Sequence, residues 1–249
     1  MKKSVIIISF LLGTLSISLI VNVWLYNNNY QQYVKNQSLR LDPYELKRYP
    51  LIADIPNNKD KPLAVFLGDS RAEAWSDPSN TPFVFVNRGI SGQTTEQILG
   101  RMSSHLSLLS PNVVIIQAGI NDLRNIPNFS LDSQNIIINC KQNIQKIVNE
   151  IKNKTKSTII LTTIFPVGEP PIHLKPYWSP DVQKAVVEVN QFIRSLKSDR
   201  VIIFDAYTIL SNQNGIINSK YSQDYLHLNN LGYTELNKEL SQILNLQLQ

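Results

Sequence analysis

The chain opens on one long apolar stretch. Lys2 and Lys3 precede an uncharged run of 22 residues, Val5–Tyr26, dominated by Ile, Leu and Val, and that length is enough to cross a hydrocarbon core as a helix. The run exceeds an ordinary signal-peptide core and ends without an Ala-x-Ala-like site, Ser16 and Ser18 offering only a weak match. A retained transmembrane signal-anchor over residues 1–26 is therefore expected rather than a cleaved leader. Trp24, Tyr26 and Tyr30 suit the far interface, and Lys2 and Lys3 favour a cytoplasmic N-terminus, so whatever follows faces outward. Residues 27–62 are rich in Asn, Gln, Tyr and Lys, with Pro43, Pro50, Pro56 and Pro62 as breakers. With no sustained apolar period, they read as a linker.

From Leu63 the pattern changes to short apolar runs separated by helical periods. Leu63–Leu67, Phe83–Val86, Val113–Gln117, Thr158–Ile164 and Val201–Phe204 are rich in Val, Ile and Phe and predict buried strands. Between them Ile98, Met102, Leu106 and Leu109 recur at helical spacing. So do Ile137, Cys140, Ile144, Ile147 and Ile151, and Val182, Val186, Val189, Ile193 and Leu196. Leu236, Leu240, Ile243 and Leu244 close the chain with one more amphipathic face. Strand and helix in alternation predict an α/β domain over residues 63–249, its parallel sheet covered on both faces. Ligand-binding loops then lie at the carboxyl ends of the strands.

Charge narrows the function classes. The formal charge of +5 invites a nucleic-acid reading only if taken whole. Residues 1–62 carry eight Lys/Arg against four Asp/Glu, or +4, and the remaining 16 against 15 leave the domain at +1. The basic excess sits beside the apolar run, where it suits a lipid surface, and no nucleic-acid face is expected. The one cysteine, Cys140, excludes an intramolecular disulfide. On the apolar face of a helix, it reads as a small buried hydrophobe. No metal-ligand spacing and no phosphate-cradling glycine loop is present, so neither a metal nor a cofactor is implied.

Four polar clusters fall at the predicted strand ends. Gly68-Asp69-Ser70 follows the first strand, Asn87-Arg88-Gly89 the second and Gly119-Ile120-Asn121-Asp122 the third, while Asp224-Tyr225-Leu226-His227 precedes the last helix. A serine hydroxyl needs a base to take its proton and a third group to orient that base. His227 and Asp224, three residues apart, supply both to Ser70. Attack on an ester carbonyl makes an oxyanion, for which the backbone N–H groups of Ser70 and Gly89 and the side-chain amide of Asn121 are candidate donors. Asp69 and Asp122 are expected to hold loop amides. Arg71, Trp75, Tyr177 and Trp178 are placed either to line a pocket or simply to pack. His105 reads as a surface or satisfied core residue, and His173 as a loop residue.

Together the clusters resemble the blocks of the SGNH, or GDSL, hydrolase family. Gly68-Asp69-Ser70 resembles block one, the stretch Asn87–Thr95 block two, Gly119–Asp122 block three, and Asp224–Asn229 block five, with Gly232-Tyr233 fitting the continuation into the last helix. The resemblance implies a flavodoxin-like three-layer α/β/α sandwich with a five-stranded parallel sheet. It also implies Ser70, Asp224 and His227 as catalytic triad and Ser70, Gly89 and Asn121 as oxyanion hole. Arg71 and Tyr225 depart from the usual pattern, at positions that could shape substrate choice. No Gly-x-Ser-x-Gly elbow surrounds Ser70, so the α/β-hydrolase family fits poorly. The implied substrate is a carboxylic ester, of a lipid, a short acyl group or an O-acetylated glycan. Acyl transfer to an envelope glycan, and glycan or lipid binding without turnover, stay open as alternatives.

Overall fold

The computed structural model describes residues 2–49, 60–106 and 108–247. They form two units, Met1–Lys47 and Arg48–Gln249. The first is dominated by helix α1 (Lys2–Leu41), 40 residues long, whose apolar side chains are exposed. By length and composition α1 is a candidate membrane anchor or signal sequence. It runs fifteen residues past Tyr26, into the stretch expected to be linker. Residues 27–41 hold neither Gly nor Pro, so nothing interrupts the backbone ladder until Pro43. Residues 50–59 of the expected linker lie outside the described residues.

The second unit alternates strand and helix. In chain order it contains β1 (Leu63–Gly68), α2 (Ser70–Glu73), β2 (Val84–Gly89), α3 (Thr95–Leu106), β3 (Val113–Gln117), α4 (Ile120–Leu123), α5 (Ser133–Lys154), β4 (Thr158–Thr162), α6 (Asp181–Ser195), β5 (Val201–Phe204), α7 (Ala206–Leu210) and α8 (Asn230–Leu246). The five strands form one parallel sheet in the order β2-β1-β3-β4-β5. This is the doubly wound arrangement, in which chain direction across the sheet reverses beside β1 and opens a crevice between the ends of β1 and β3.

Alternate strand residues feed two cores. Val65, Leu67, Val114, Ile116, Ile159 and Leu161 pack with the apolar faces of α3, α5 and α6. Ala64, Phe66, Val113, Ile115 and Ile160 pack with Trp75, Leu210 and the α8 series Leu236, Leu240 and Leu244. The result is the three-layer α/β/α sandwich. Every residue of β3 is buried, which is why its run Val113–Gln117 shows no polar alternation.

β2 differs from its predicted span. The apolar run suggested Phe83–Val86, whereas the strand is Val84–Gly89 and carries Asn87 and Arg88 in its ladder. Those polar residues pair through their backbones with Phe66 and Leu67 of β1, and Gly89 lies opposite Gly68. A Cβ on Gly68 would collide with the Gln117 carbonyl, and one on Gly89 with the Glu73 amide. The two glycines let β3 and α2 close on the ends of β1 and β2.

Candidate active site

Ser70 is the first residue of α2, directly after β1. Asp69 caps the helix, its Oδ1 accepting the Arg71 N–H at 2.9 Å. As the first helical amide, the Ser70 N–H has no intrahelical acceptor. Asp69 is fully buried, and burial pushes its carboxyl up to about 6 against the pull of the neighbouring Arg71 charge and amide.

The loop that brings the other two groups is tied at both ends. Asn229 caps α8 by accepting the Gly232 N–H at 3.0 Å, and its Nδ2 donates back to the Lys220 carbonyl at 2.9 Å and the Ser222 carbonyl at 3.2 Å. Gln223 N–H donates to the His227 carbonyl at 2.9 Å. Inside this tight loop Asp224 Oδ1 accepts two backbone amides, from Leu226 and His227, each at 2.7 Å. Its Oδ2 lies 2.8 Å from His227 Nδ1, and His227 Nε2 lies 3.2 Å from Ser70 Oγ. Partial burial works against the Asp224 charge, but the His227 ring and the two amides outweigh it and hold the carboxyl below its usual range. An ionised carboxylate only accepts, so Nδ1 carries the proton and Nε2 is left to accept from the serine hydroxyl. The line Ser70–His227–Asp224 can therefore draw the hydroxyl proton onto the ring.

Asn121 and Gly89 lie at the same sheet edge. Asn121 is in the first turn of α4, entered through Gly119 at φ +117°, and is buried. Its Nδ2 donates to the Gln93 carbonyl at 3.0 Å, which uses one of its two hydrogens. The Gly89 N–H donates to Asn87 Oδ1 at 2.8 Å. It already has an acceptor, unlike the Ser70 amide. Asp122 turns inward and accepts from Thr95 N and Oγ1 at 2.9 and 2.6 Å, joining α4 to the start of α3.

A family model for GDSL-like lipases and acylhydrolases matches residues 66–234, a span holding all four polar clusters. The chain belongs to the GDSL-like lipase/acylhydrolase family. Hydrolysis of esters, in general terms, comes with that membership. The platelet-activating factor acetylhydrolase IB subunit alpha1 of Rattus norvegicus is 26% identical over 200 residues, covering 76% of this chain and 78% of the relative. A candidate acylhydrolase of Bacteroides fragilis superposes with a TM-score of 0.66 at 26% identity, over 84% of this chain and 99% of that one. The acetylxylan esterase Axe2 of Geobacillus stearothermophilus shares the fold, with a TM-score of 0.58 at 16% identity over 74% and 94% of the two chains.

Within this GDSL-like domain Trp75 and Arg71, read from the sequence as either lining a pocket or packing, are both packed inside. Trp75 is buried among Phe66, Phe165, Phe204 and Tyr233. Arg71 is 1% exposed. Its Nε donates to the Leu226 carbonyl at 2.9 Å and its Nη1 to the Phe165 carbonyl at 3.1 Å, while its own carbonyl accepts from Tyr233 Oη at 3.0 Å. The residue after the serine thus grips the residue before the histidine. Trp178 packs edge-on against Tyr225 at 5.2 Å, and Gly168 N–H donates to the Tyr225 carbonyl at 2.8 Å, so the proline-rich loop after β4 braces the same turn. His105 is buried, and His173 lies in the exposed 3₁₀ turn Ile172–Tyr177.

Proposed function

We propose that the domain hydrolyses a carboxylic ester through an acyl-Ser70 intermediate. The observation that carries this reading is the continuous line from Ser70 Oγ through His227 to Asp224, at 3.2 and 2.8 Å. Ser70 Oγ attacks the ester carbonyl carbon as its proton passes to His227 Nε2. The tetrahedral oxyanion is received by the Ser70 N–H and by the second Asn121 Nδ2 hydrogen. The Gly89 N–H contributes as a donor shared with Asn87 Oδ1. Collapse breaks the C–O bond to the alcohol, which leaves with the proton from His227. Water then repeats the sequence, giving up its proton to His227 and releasing the carboxylic acid and free Ser70.

Water as acceptor is favoured over a second alcohol by exposure. The His227 and Asp224 side chains are 40% and 44% exposed, and a transferase must keep water from its acyl-enzyme. Short acyl groups are the first to test, because the names of an acetylhydrolase and an acetylxylan esterase appear among the relatives. A membrane-anchored domain facing outward would meet such esters in lipids or envelope glycans.

The experiment compares the detergent-solubilised full chain with Ser70→Ala on p-nitrophenyl acetate, butyrate and longer esters, alongside labelling by a fluorophosphonate. Activity and labelling lost together in Ser70→Ala are expected. Equal turnover by both proteins would remove Ser70 as nucleophile. Labelling without turnover of any ester would favour transfer or binding.

A further inference from the structure

Arg48 and Tyr49 precede the first strand of the sandwich, in a stretch that composition alone marks as linker. Both nevertheless belong to the folded unit and grip the parts of it that carry the site. Tyr49 Oη donates to the Gly89 carbonyl at 2.6 Å. The Arg88 guanidinium carbon sits 4.8 Å from the centre of the Tyr49 ring, and His105 of α3 meets that ring edge-on at 5.6 Å. Arg48 pairs with Glu73 Oε1 at 2.8 Å. Glu73 is the last residue of α2, the helix that Ser70 begins, and its other oxygen accepts the Ser91 N–H at 2.9 Å and the Ser91 hydroxyl.

These contacts converge on one peptide. Gly89 lacks a Cβ where the α2 backbone passes against it, so it has no side chain of its own to anchor its backbone. Its carbonyl is fixed by the Tyr49 phenol, and the next amide, Ile90 N–H, donates to the Gly68 carbonyl at 3.0 Å. Rotation of that peptide would break both hydrogen bonds and shift the Gly89 backbone, whose N–H lies in the preceding peptide and bonds Asn87 Oδ1 at 2.8 Å. Burial raises the Tyr49 phenol above its ordinary range, so it stays protonated and a donor at neutral pH.

We propose that Tyr49, braced by the Arg48–Glu73 ion pair, is a positioning residue for the Gly89–Ser91 turn. In this role it fixes the Gly89–Ile90 peptide, and with Asn87, which holds the Gly89 N–H, it keeps the Gly89 backbone in place relative to Ser70. The inference rests on the acyl-Ser70 reading for its catalytic consequence, though not for the hydrogen bond itself. A spacer would need none of these contacts. The pair instead joins α2, β2 and α3 from outside the sandwich, with an aromatic ring held between a cation and an imidazole.

The test uses the full chain in detergent, with Tyr49→Phe and, separately, Glu73→Gln. Kinetics are read on p-nitrophenyl acetate and normalised to fluorophosphonate-reactive sites, and backbone hydrogen exchange is followed at Ile90 and Ser91. In Tyr49→Phe, kcat is expected to fall about threefold to tenfold with KM within about twofold, the scale of one hydrogen bond lost from a transition-state donor's support. Exchange at Ile90 and Ser91 should quicken in both variants. Wild-type kcat per reactive site would overturn the proposal even if the melting temperature dropped, and so would a raised KM with unchanged kcat. Should Ser70→Ala keep full activity, the acyl-serine reading falls instead. Exchange then decides alone, unchanged rates at Ile90 and Ser91 overturning the positioning role of Tyr49.

Discussion

Arg71 Nε and the Leu226 carbonyl, 2.9 Å apart, connect the residue after the serine to the residue before the histidine. The contact is buried, with the Phe165 carbonyl as a second acceptor and the Phe165 ring 5.3 Å from the guanidinium carbon. Burial lowers Arg71 to about 10, opposed by Asp69, so it remains charged at neutral pH. A buried cation of this kind makes strong hydrogen bonds to carbonyls and leaves them costly to vacate.

Replacing it separates geometry from charge. Arg71→Lys keeps the cation but not the planar fork that reaches two carbonyls. We expect it to lose on the order of 3 kcal/mol in urea unfolding. Its kcat should fall on the order of tenfold to hundredfold as His227 drifts from Ser70. A lysine variant matching wild type in both would show that the Leu226 contact does not set the histidine.

Asp224→Asn tests the orientation of the ring. The amide oxygen can still accept the Leu226 and His227 amides, which keeps the loop closed. Its NH₂ then faces His227 Nδ1 and requires the tautomer with the proton on Nε2, which cannot take the Ser70 proton. Turnover should drop by on the order of 10⁴ with the melting temperature little changed. A loss below tenfold would mean that Asp224 anchors the loop and does not select the tautomer.

Asn121→Ala removes the side-chain donor proposed for the oxyanion. The expected loss is about 10²- to 10³-fold in kcat with KM nearly constant. Because Asn121 Nδ2 also holds the Gln93 carbonyl, a stability loss of about 1 kcal/mol should accompany it. A change confined to KM would place Asn121 in ground-state binding.

The sheet and the meeting of the four polar clusters were legible because each depends on local pattern. Buried parallel strands read as unbroken runs of Val, Ile and Phe, and in a doubly wound sheet the residues after them share one edge. What stayed hidden depends on distant backbone. Asn87 and Arg88 looked like loop residues because their strand pairing is made by main-chain groups of Phe66 and Leu67. Arg71 could be placed only as lining a pocket or packing because its acceptors, the carbonyls of Phe165 and Leu226, lie 94 and 155 residues away. Tyr49 sits among prolines and lysines, and only the folded unit reveals the Gly89 carbonyl as its partner. α1 outran its expected end because absence of breakers, not apolar period, decides where an exposed helix stops.

Asp122 gives a prediction in pH. Burial pushes its carboxyl from the ordinary 3.8 up to about 6, against the Thr95 hydrogen bonds that favour the ion. Below 3.8 the group is protonated folded and unfolded alike and contributes no difference. Between about 4 and 6 the folded state holds the proton and the unfolded state has released it, so stability falls as pH rises through that window and levels off above it. The full difference is on the order of 3 kcal/mol. Asp122→Asn does not titrate and preserves one acceptor for Thr95, so comparing the two proteins cancels the titration of Asp69 and the other carboxyls. Urea unfolding at pH 4, 5.5 and 7 should show wild type losing ground to Asp122→Asn at each step. Parallel profiles would mean that Asp122 ionises as readily in the fold as in the open chain, and that its pair of Thr95 hydrogen bonds fully offsets burial.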